Sequence, residues 1–206
     1  MALSKEQQEK LTPSLALKEL KEGHQRFIDG TPLTLSTSSL INQTAKAQFP
    51  KAIVISCIDS RVPVEQIFDQ NIGDIFVARV AGNFINNDIL ASIEYACAVA
   101  QSPLVIVLGH EGCGAVSSAC DGVKLGHITE MLQAIRPAIE NAQKTSHEPY
   151  NSSNASYVAS VTESNVLLNI NKITQQSQLL KERIENGQLA ICGGVYQIKD
   201  GTINWL

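Results

Sequence analysis

Two short polar segments carry residue types that bind metals. Residues 57–61 (CIDSR) and 109–113 (GHEGC) each begin where an apolar run ends. They contain Cys57, His110 and Cys113, and two thiolates with one imidazole form a donor set that favours Zn²⁺. Three protein ligands would leave the fourth tetrahedral position of the metal free for water.

An acidic and a basic residue follow the first cysteine closely. Asp59 and Arg61 would lie beside the metal if Cys57 bound it. An open zinc position with an ionisable partner predicts a hydrolytic or hydration centre rather than a structural zinc site. The spacing of His110 and Cys113 is typical of paired zinc ligands, but a histidine and a cysteine this close are also common as packing or surface residues.

Composition indicates a globular chain of ordinary size. With 206 residues, 44% hydrophobic and 17% charged, it is predicted to form a single domain over residues 1–206. A net charge of −4 gives no general attraction to nucleic acid, and no apolar stretch approaches the roughly 18 residues needed to cross a membrane. The first thirty residues lack the apolar core of a secretory signal, which predicts a cytoplasmic protein.

Five cysteines, an odd number, do not resemble a disulfide framework. Cys97, Cys120 and Cys192 stand among Ala, Gly and Ile, and we expect them to be small buried packing residues. His24, His127 and His147 have no neighbours that indicate a site, so we expect surface histidines.

Apolar runs and helical periodicity alternate along the chain. A helix is predicted from Thr12-Pro13 to Asp29-Gly30, followed by a Ser- and Thr-rich surface loop at 31–43. Further helices are predicted around residues 89–100, after Gly114, and from 166 to 186 as one long helix, with a loop at 145–157. Strands are predicted at 52–56, 75–80, 104–108 and 189–195, with a hairpin return to Trp205.

This alternation predicts an α/β fold with a central, mainly parallel β-sheet flanked by helices and an N-terminal helical arm. In such sheets ligands bind beyond the carboxyl ends of the strands. The segments 57–61 and 109–113 both follow predicted strands, so they could converge on one point.

The motifs together resemble the β-class carbonic anhydrases. The residues that carry the resemblance are CIDSRVP at 57–63, GD at 73–74, Arg79, AGN at 81–83 and GHEGCGAV at 109–116. The similarity runs from the helix that ends near Phe27 to the last long strand, and it is weakest in the loop at 145–157.

The resemblance implies a role for each matching residue. It implies a zinc site formed by Cys57, His110 and Cys113, and a catalytic dyad formed by Asp59 and Arg61. It also implies a substrate pocket formed by Gln48, Phe76, Tyr95 and the backbone N–H of Gly114. In the family, the residues matching Gln48, Phe76 and Tyr95 reach the zinc from the neighbouring subunit. It therefore implies a homodimer or homotetramer with its active sites at the dimer interface.

Two positions refine the comparison. Ala81 stands where plant-type members carry valine, which we expect to widen the pocket slightly. Val54 stands where some bacterial members carry a tryptophan that helps to build a second bicarbonate site, although Arg79, another component of that site, is present. We therefore expect the plant-like, non-allosteric type.

The implied activity is zinc-dependent, reversible hydration of carbon dioxide to bicarbonate and a proton. A zinc-bound hydroxide would be the nucleophile, and Asp59 and Arg61 would orient it. Since two thiolates cancel the charge of Zn²⁺, we expect a zinc-bound water with a higher pKa than in a three-histidine site, and faster hydration at alkaline pH.

Three alternatives remain open from the residues. A relative with the same zinc site could hydrolyse another linear substrate, such as carbon disulfide, through a narrower pocket entrance. A non-enzymatic zinc module would keep Asp59 on the metal, and the presence of Arg61 argues against it. A thiol redox protein would carry a Cys-x-x-Cys pair, which this sequence lacks.

Overall fold

The computed structural model describes residues 2–33 and 36–206. In that part of the chain the strands are β1 (Ala52–Ser56), β2 (Ile75–Arg79), β3 (Leu104–His110), β4 (Ala190–Tyr196) and β5 (Ile203–Trp205). The helices are α1 (Lys5–Glu9), α2 (Pro13–Ile28), α3 (Thr37–Thr44), α4 (Val64–Ile67), α5 (Asn87–Glu94), α6 (Gly114–Cys120), α7 (Gly126–Gln133), α8 (Arg136–Ala142), α9 (Ala155–Gln176) and α10 (Gln178–Glu185), and a π-helical turn, Tyr95–Val99, continues α5.

The strands form one mainly parallel sheet, as predicted. Their order is β2-β1-β3-β4-β5, and the pairs β2–β1, β1–β3 and β3–β4 are parallel, while β5 returns antiparallel to β4. Every residue of β1 and β3 is buried, which explains why both strands are continuous apolar runs. The α/β prediction is confirmed.

The strand register brings the two polar segments to one edge of the sheet. Ser56, the last residue of β1, pairs with Leu108 of β3. Cys57 therefore leaves the sheet beside the end of β3, where His110 is the final strand residue. Convergence of the two segments follows from this parallel pairing.

Helices cover both faces of the sheet. One core cluster packs α2 and α4 against the sheet, with Leu20 and Phe68 among its buried members. The opposite cluster packs the α5 region and α9 against it, with Ile93 and Val166 buried. Among the described residues, no helix is both long and apolar enough to cross a membrane.

The N-terminal arm is helical, as predicted. Thr12 caps α2 by accepting a hydrogen bond from the Leu15 N–H, and Pro13 is the first residue of the helix. Helix α1 is held to the body of the protein by Gln8, whose Nε2 donates to the carbonyls of Pro50 (2.8 Å) and Ala100 (2.9 Å).

The Ser- and Thr-rich stretch predicted as a loop contains a helix. Residues Thr34 and Leu35 lie outside the described residues, but Ser36 caps α3 by accepting a hydrogen bond from the Ser39 N–H, and Leu40 is buried. Capping together with one apolar anchor outweighs the weak helix propensity of Ser and Thr here.

The helix predicted to span 166–186 ends where predicted, but it differs at its start and in the middle. It begins earlier, at Ala155, where the Asn154 side chain accepts a hydrogen bond from the Tyr157 N–H. Ser177, extended at φ −120°, separates α9 from α10 and caps the second helix through the Leu180 N–H. Both caps stand among other polar residues, so apolar periodicity does not show which of these residues begins a helix.

His24 is buried, which contradicts the expected surface position. Its Nε2 donates to the carbonyl of Gly201 at 2.8 Å, and its ring lies near Phe27 and Phe68. Burial lowers the pKa of this imidazole. His127 and His147 are exposed, as expected. Cys97 is buried, but Cys120 and Cys192 are only partly so.

Candidate metal centre

Cys57 is the first residue beyond β1 and its side chain is buried. Its Sγ accepts a hydrogen bond from the Gly82 N–H at 3.4 Å, and its carbonyl accepts one from Nε of Arg79 at 2.8 Å. Gly82 has φ +81°, and a Cβ there would lie 2.7 Å from Cδ1 of Ile135, so only glycine fits. The sulfur is thus held at the sheet edge by backbone.

His110, the last residue of β3, is fully buried. Its Nδ1 lies 2.9 Å from the carbonyl of Glu111, and because a carbonyl can only accept, Nδ1 carries the proton. The lone pair then resides on Nε2, which has no hydrogen-bond partner among the described residues. A buried acceptor without a partner is costly unless something else binds it.

Cys113 completes the group through a tight turn. Gly112, with φ +63°, reverses the chain after His110, and Cys113 is then the residue immediately before α6. Its side chain is fully buried, and its Sγ lies 3.9 Å from Sγ of Cys57. The predicted ligands from the two segments therefore meet.

The three donor atoms fit a tetrahedral metal ion. The donor atoms of Cys57, His110 and Cys113 all lie within 4.8 Å of one another. A tetrahedral metal with metal–sulfur bonds of about 2.3 Å would separate two sulfurs by about 3.8 Å, close to the 3.9 Å found here. The unpartnered Nε2 of His110 gives independent support for the fit.

Without a metal, the two thiols share a proton unequally. The contact between the two sulfurs lowers the pKa of Cys57, and the same contact together with burial raises the pKa of Cys113. The Gly82 N–H also favours the Cys57 thiolate. A divalent cation between the sulfurs would favour the thiolate form of both.

Asp59 and Arg61 form the expected pair. Nε and Nη2 of Arg61 donate to the two carboxylate oxygens of Asp59 at 3.0 and 2.9 Å, and the Arg61 backbone N–H donates to Oδ1 at 2.9 Å. Oδ2 of Asp59 lies 3.9 Å from Nε2 of His110. The hydrogen bonds from Arg61 hold the pKa of the Asp59 carboxyl well below its usual range. Asp59 is therefore an ionised acceptor beside the donor cluster.

Arg79 fixes the backbone between these residues. Its guanidinium donates to the carbonyls of Cys57 (2.8 Å) and Asp59 (2.7 Å). The resemblance gives the matching arginine as a component of a second bicarbonate site in some bacterial members, and in this structure Nε and Nη2 of Arg79 hold the segment that carries Cys57 and Asp59. Val54 is a buried strand residue in β1.

The residues predicted to line the substrate pocket separate into two groups. Gly114 follows Cys113 directly, is exposed, and would have open space around an added Cβ. Phe76 pairs with Ile53, four residues before Cys57. It therefore lies about 13 Å along the strand direction from the metal edge, the end of the sheet where Cys57 and His110 lie. Its ring lies 6.3 Å from that of Tyr95. One chain therefore leaves Phe76 and Tyr95 apart from the cluster.

Gln48 belongs to the same outlying region. It is exposed and lines a surface groove with Tyr95 and Val99. Tyr95 and Val99 are 55% and 67% exposed, unusually high for large apolar side chains.

Sequence reasoning assigned no role to Gly82, although the AGN motif contains it. Its N–H is one of the contacts that hold the Cys57 sulfur. The signal in the sequence is a glycine in a short loop directly after a strand, where the chain often needs the positive φ that Gly82 adopts.

Comparison with known proteins identifies the family. Residues 52–203 match the family model described as carbonic anhydrase. Carbonic anhydrase 2 of Mycobacterium tuberculosis is 36% identical over 195 residues, which span 92% of this chain and 90% of that protein.

Solved structures of β-carbonic anhydrases have a similar fold. A β-carbonic anhydrase from Coccomyxa, determined with acetazolamide, is 25% identical with a TM-score of 0.72, over 82% of this chain and 77% of that one. One of two tetrameric β-carbonic anhydrases from Sordaria macrospora has a TM-score of 0.72 over 94% of each chain and, at 23% identity, shows the shared fold. With the family model, the relative and the cluster of Cys57, His110 and Cys113 in agreement, this chain belongs to the β-carbonic anhydrases and is an enzyme of that family.

Proposed function

We propose that the protein catalyses the reversible hydration of carbon dioxide to bicarbonate and a proton, with one Zn²⁺ per chain held by Cys57, His110 and Cys113. The observation that carries the proposal is the unpartnered, buried Nε2 of His110, which lies between two buried sulfurs and the ionised Asp59. When bound, zinc would supply a water that ionises near neutral pH, which is the nucleophile this reaction needs.

Asp59 and Arg61 then orient that nucleophile. Asp59 has no proton to donate, because Arg61 keeps its pKa low, so it can only accept a hydrogen bond. By accepting the hydrogen of the nucleophile, Asp59 would direct a lone pair of the nucleophile's oxygen toward the carbon of the substrate. The bidentate hydrogen bonds from Arg61 also hold the Asp59 carboxylate away from the metal position.

The other wall of the pocket comes from a second copy of the chain. Gln48, Phe76 and Tyr95 of the partner subunit would line the site, while Gly114 of the same chain would donate its backbone N–H to bicarbonate. The high exposure of Tyr95 and Val99, and the position of β2 at the edge of the sheet, support a surface that a partner covers. The active unit is then a homodimer or a homotetramer.

Two further predictions accompany this proposal. Arg79 is engaged by the carbonyls of Cys57 and Asp59 and Val54 is buried, which supports the non-allosteric type. The cysteines within the described residues are free thiols, which supports a reducing compartment, and the cytoplasm stays the predicted location.

Stopped-flow hydration of CO2 by the zinc-loaded protein, from pH 6.5 to 9, tests the activity. We expect rapid hydration that rises with pH, since two thiolates weaken zinc as a Lewis acid. Protein stripped of metal should be inactive and should recover on addition of one equivalent of Zn²⁺. Zinc-loaded protein that hydrates no CO2 at any pH would refute the proposal, and carbon disulfide would then be the next substrate to assay.

Sedimentation velocity tests the assembly. We expect no stable monomer at micromolar concentration. Val99→Arg places a charge in the exposed apolar surface and should give a monomer with strongly reduced hydration activity and an intact zinc site. A fully active monomer would contradict the shared pocket.

A further inference from the structure

Helix α9 buries two asparagines against the core of the protein. Asn165 and Asn169 are 2% and 5% exposed, one turn apart, next to Val166 and Ile173 of the core. Burying a side-chain amide costs free energy unless its donors and acceptor are paired. The partners of these two amides therefore indicate what the asparagines do.

Both side chains bind the loop that follows β2. Nδ2 of Asn165 donates to the carbonyl of Gly82 at 2.9 Å, and Oδ1 of Asn169 accepts from the Ile85 N–H at 2.8 Å. Nδ2 of Asn169 also donates to Oδ1 of Asn165 at 3.0 Å. Because Oδ1 of Asn165 is occupied in this way, its amide can face Gly82 only with the donor side.

The residue anchored by Asn165 is the one that contacts the metal-ligand sulfur. Gly82 donates its N–H to Sγ of Cys57 at 3.4 Å, while its carbonyl is held by Asn165. The left-handed conformation of Gly82 and its close approach to Ile135 leave this residue little freedom to reorient. A chain of hydrogen bonds thus runs from α9 through Gly82 to the sulfur.

We propose that Asn165 is a positioning residue for the metal centre, which fixes Gly82 so that its N–H hydrogen-bonds the Cys57 thiolate and strengthens the protein's hold on the metal. A backbone N–H that donates to a metal-binding sulfur fixes the orientation of that sulfur, as outer hydrogen-bond partners do for other metal ligands. This inference rests on the proposed metal centre and adds a residue that touches neither metal nor substrate. Partners of this kind commonly change metal affinity by 10–100-fold, and about tenfold is expected here.

Ser164 offers a matched control on the same helix. It is the buried residue before Asn165 in sequence, but its Oγ accepts from Nδ2 of Asn141 in α8, whereas the Gly82 carbonyl is held by Asn165. Ser164→Ala removes one buried hydrogen bond from α9, so it reports the effect of general loosening of the helix.

The direct test replaces the metal with ¹¹³Cd²⁺ and measures scalar coupling between the metal and the Gly82 amide proton by NMR. Coupling transmitted through the N–H···S bond is expected in the wild type and in Ser164→Ala. It should be lost in Asn165→Leu and in Asn165→Ser, a second variant that keeps a polar group for Asn169. Cadmium-bound wild type without this coupling would overturn the inference, whereas failure to bind any metal would overturn the metal centre itself.

Zinc affinity, measured by competition with a chromophoric chelator, is the second readout. Both Asn165 variants should bind zinc about tenfold more weakly, and Ser164→Ala should stay within about twofold of the wild type. Thermal unfolding of the metal-free proteins separates stability from affinity. Folded Asn165 variants with wild-type zinc affinity would show that the asparagine only supports the fold.

Discussion

The metal edge of the sheet and the surface around Tyr95 differ in how far this chain buries the side chains of each region. At the metal edge, Cys57, His110 and Cys113 are buried, and Asp59 already has its partner Arg61. Around Tyr95, a tyrosine that is 55% exposed lies against Phe76 without a covering layer in this chain. In the proposed assembly, the chain would supply the metal-binding half of its site alone, and another copy would supply the substrate-lining half.

The difference follows from the direction of parallel strands. Ligands gather where β1 and β3 end, because both strands point to the same edge. Phe76 lies early in β2, and the same register that gathers the ligands carries it about 13 Å away from them. No local rearrangement of side chains would span that distance.

Removal of a ligand should have the largest effect. His110→Ala deletes the single nitrogen donor of the cluster, and we expect loss of the bound zinc and a fall in hydration rate of roughly a thousandfold or more. Zinc content and stopped-flow hydration measure both. His127→Ala, which removes an exposed imidazole from α7, should change neither. One zinc per chain and substantial activity in His110→Ala would exclude His110 as a ligand.

Loss of the oriented acceptor should have a smaller effect. Asp59→Asn keeps the size of the side chain but replaces an ionised acceptor with a neutral amide, and kcat/KM should fall roughly a hundredfold with zinc retained. Asp121→Asn is the control, since Asp121 pairs with Ser152 on the surface. If Asp59→Asn hydrates CO2 as fast as the wild type, the carboxylate does not orient the nucleophile.

Thiol chemistry should distinguish the metal edge from the rest of the core. In the metal-free protein the pKa of Cys57 is lowered by its contact with Cys113, whereas burial raises the pKa of Cys97 to about 12 and that of Cys120 and Cys192 to about 11. Iodoacetamide at pH 7.5 should therefore alkylate Cys57 first. Mass spectrometry of the labelled peptides measures this order, and added Zn²⁺ should protect Cys57. Uniform labelling of the cysteines would contradict the assigned environments.

The smallest effect concerns stability against pH. The folded pKa of Asp59 lies below its unfolded value of about 3.9, so the stability that its ionised form contributes is fully present above that value. It is lost as the pH falls below 3.9 through the folded pKa. The contribution is modest because Arg61 is largely exposed to solvent.

Urea unfolding of the metal-free protein between pH 6 and pH 3 measures this contribution. The difference in unfolding free energy between the wild type and Asp59→Asn should narrow as the pH falls. A difference that stays constant across this range would mean that Arg61 does not lower the pKa of Asp59.

The sequence was informative where structure is set by neighbours along the chain. The apolar runs located β1 and β3, and the two motifs located Cys57, His110 and Cys113, whose side chains the structure brings together. It was uninformative where distant residues decide. His24 was expected at the surface, but its partner Gly201 is 177 positions away. Asn165 was not singled out, because its contact with Gly82 spans 83 positions and its neighbours in sequence do not show whether the side chain is buried or exposed.

The most direct test of the divided site uses mixed dimers. One chain carries Asp59→Asn with one affinity tag, the other carries Gln48→Ala with a second tag, and dimers holding both tags are purified. If each site combines Asp59 of one chain with Gln48 of the other, a mixed dimer holds one intact site and recovers about half of wild-type hydration activity. If both residues of a site came from the same chain, every site would carry a defect and activity would stay at the level of the parent variants, which would contradict the account.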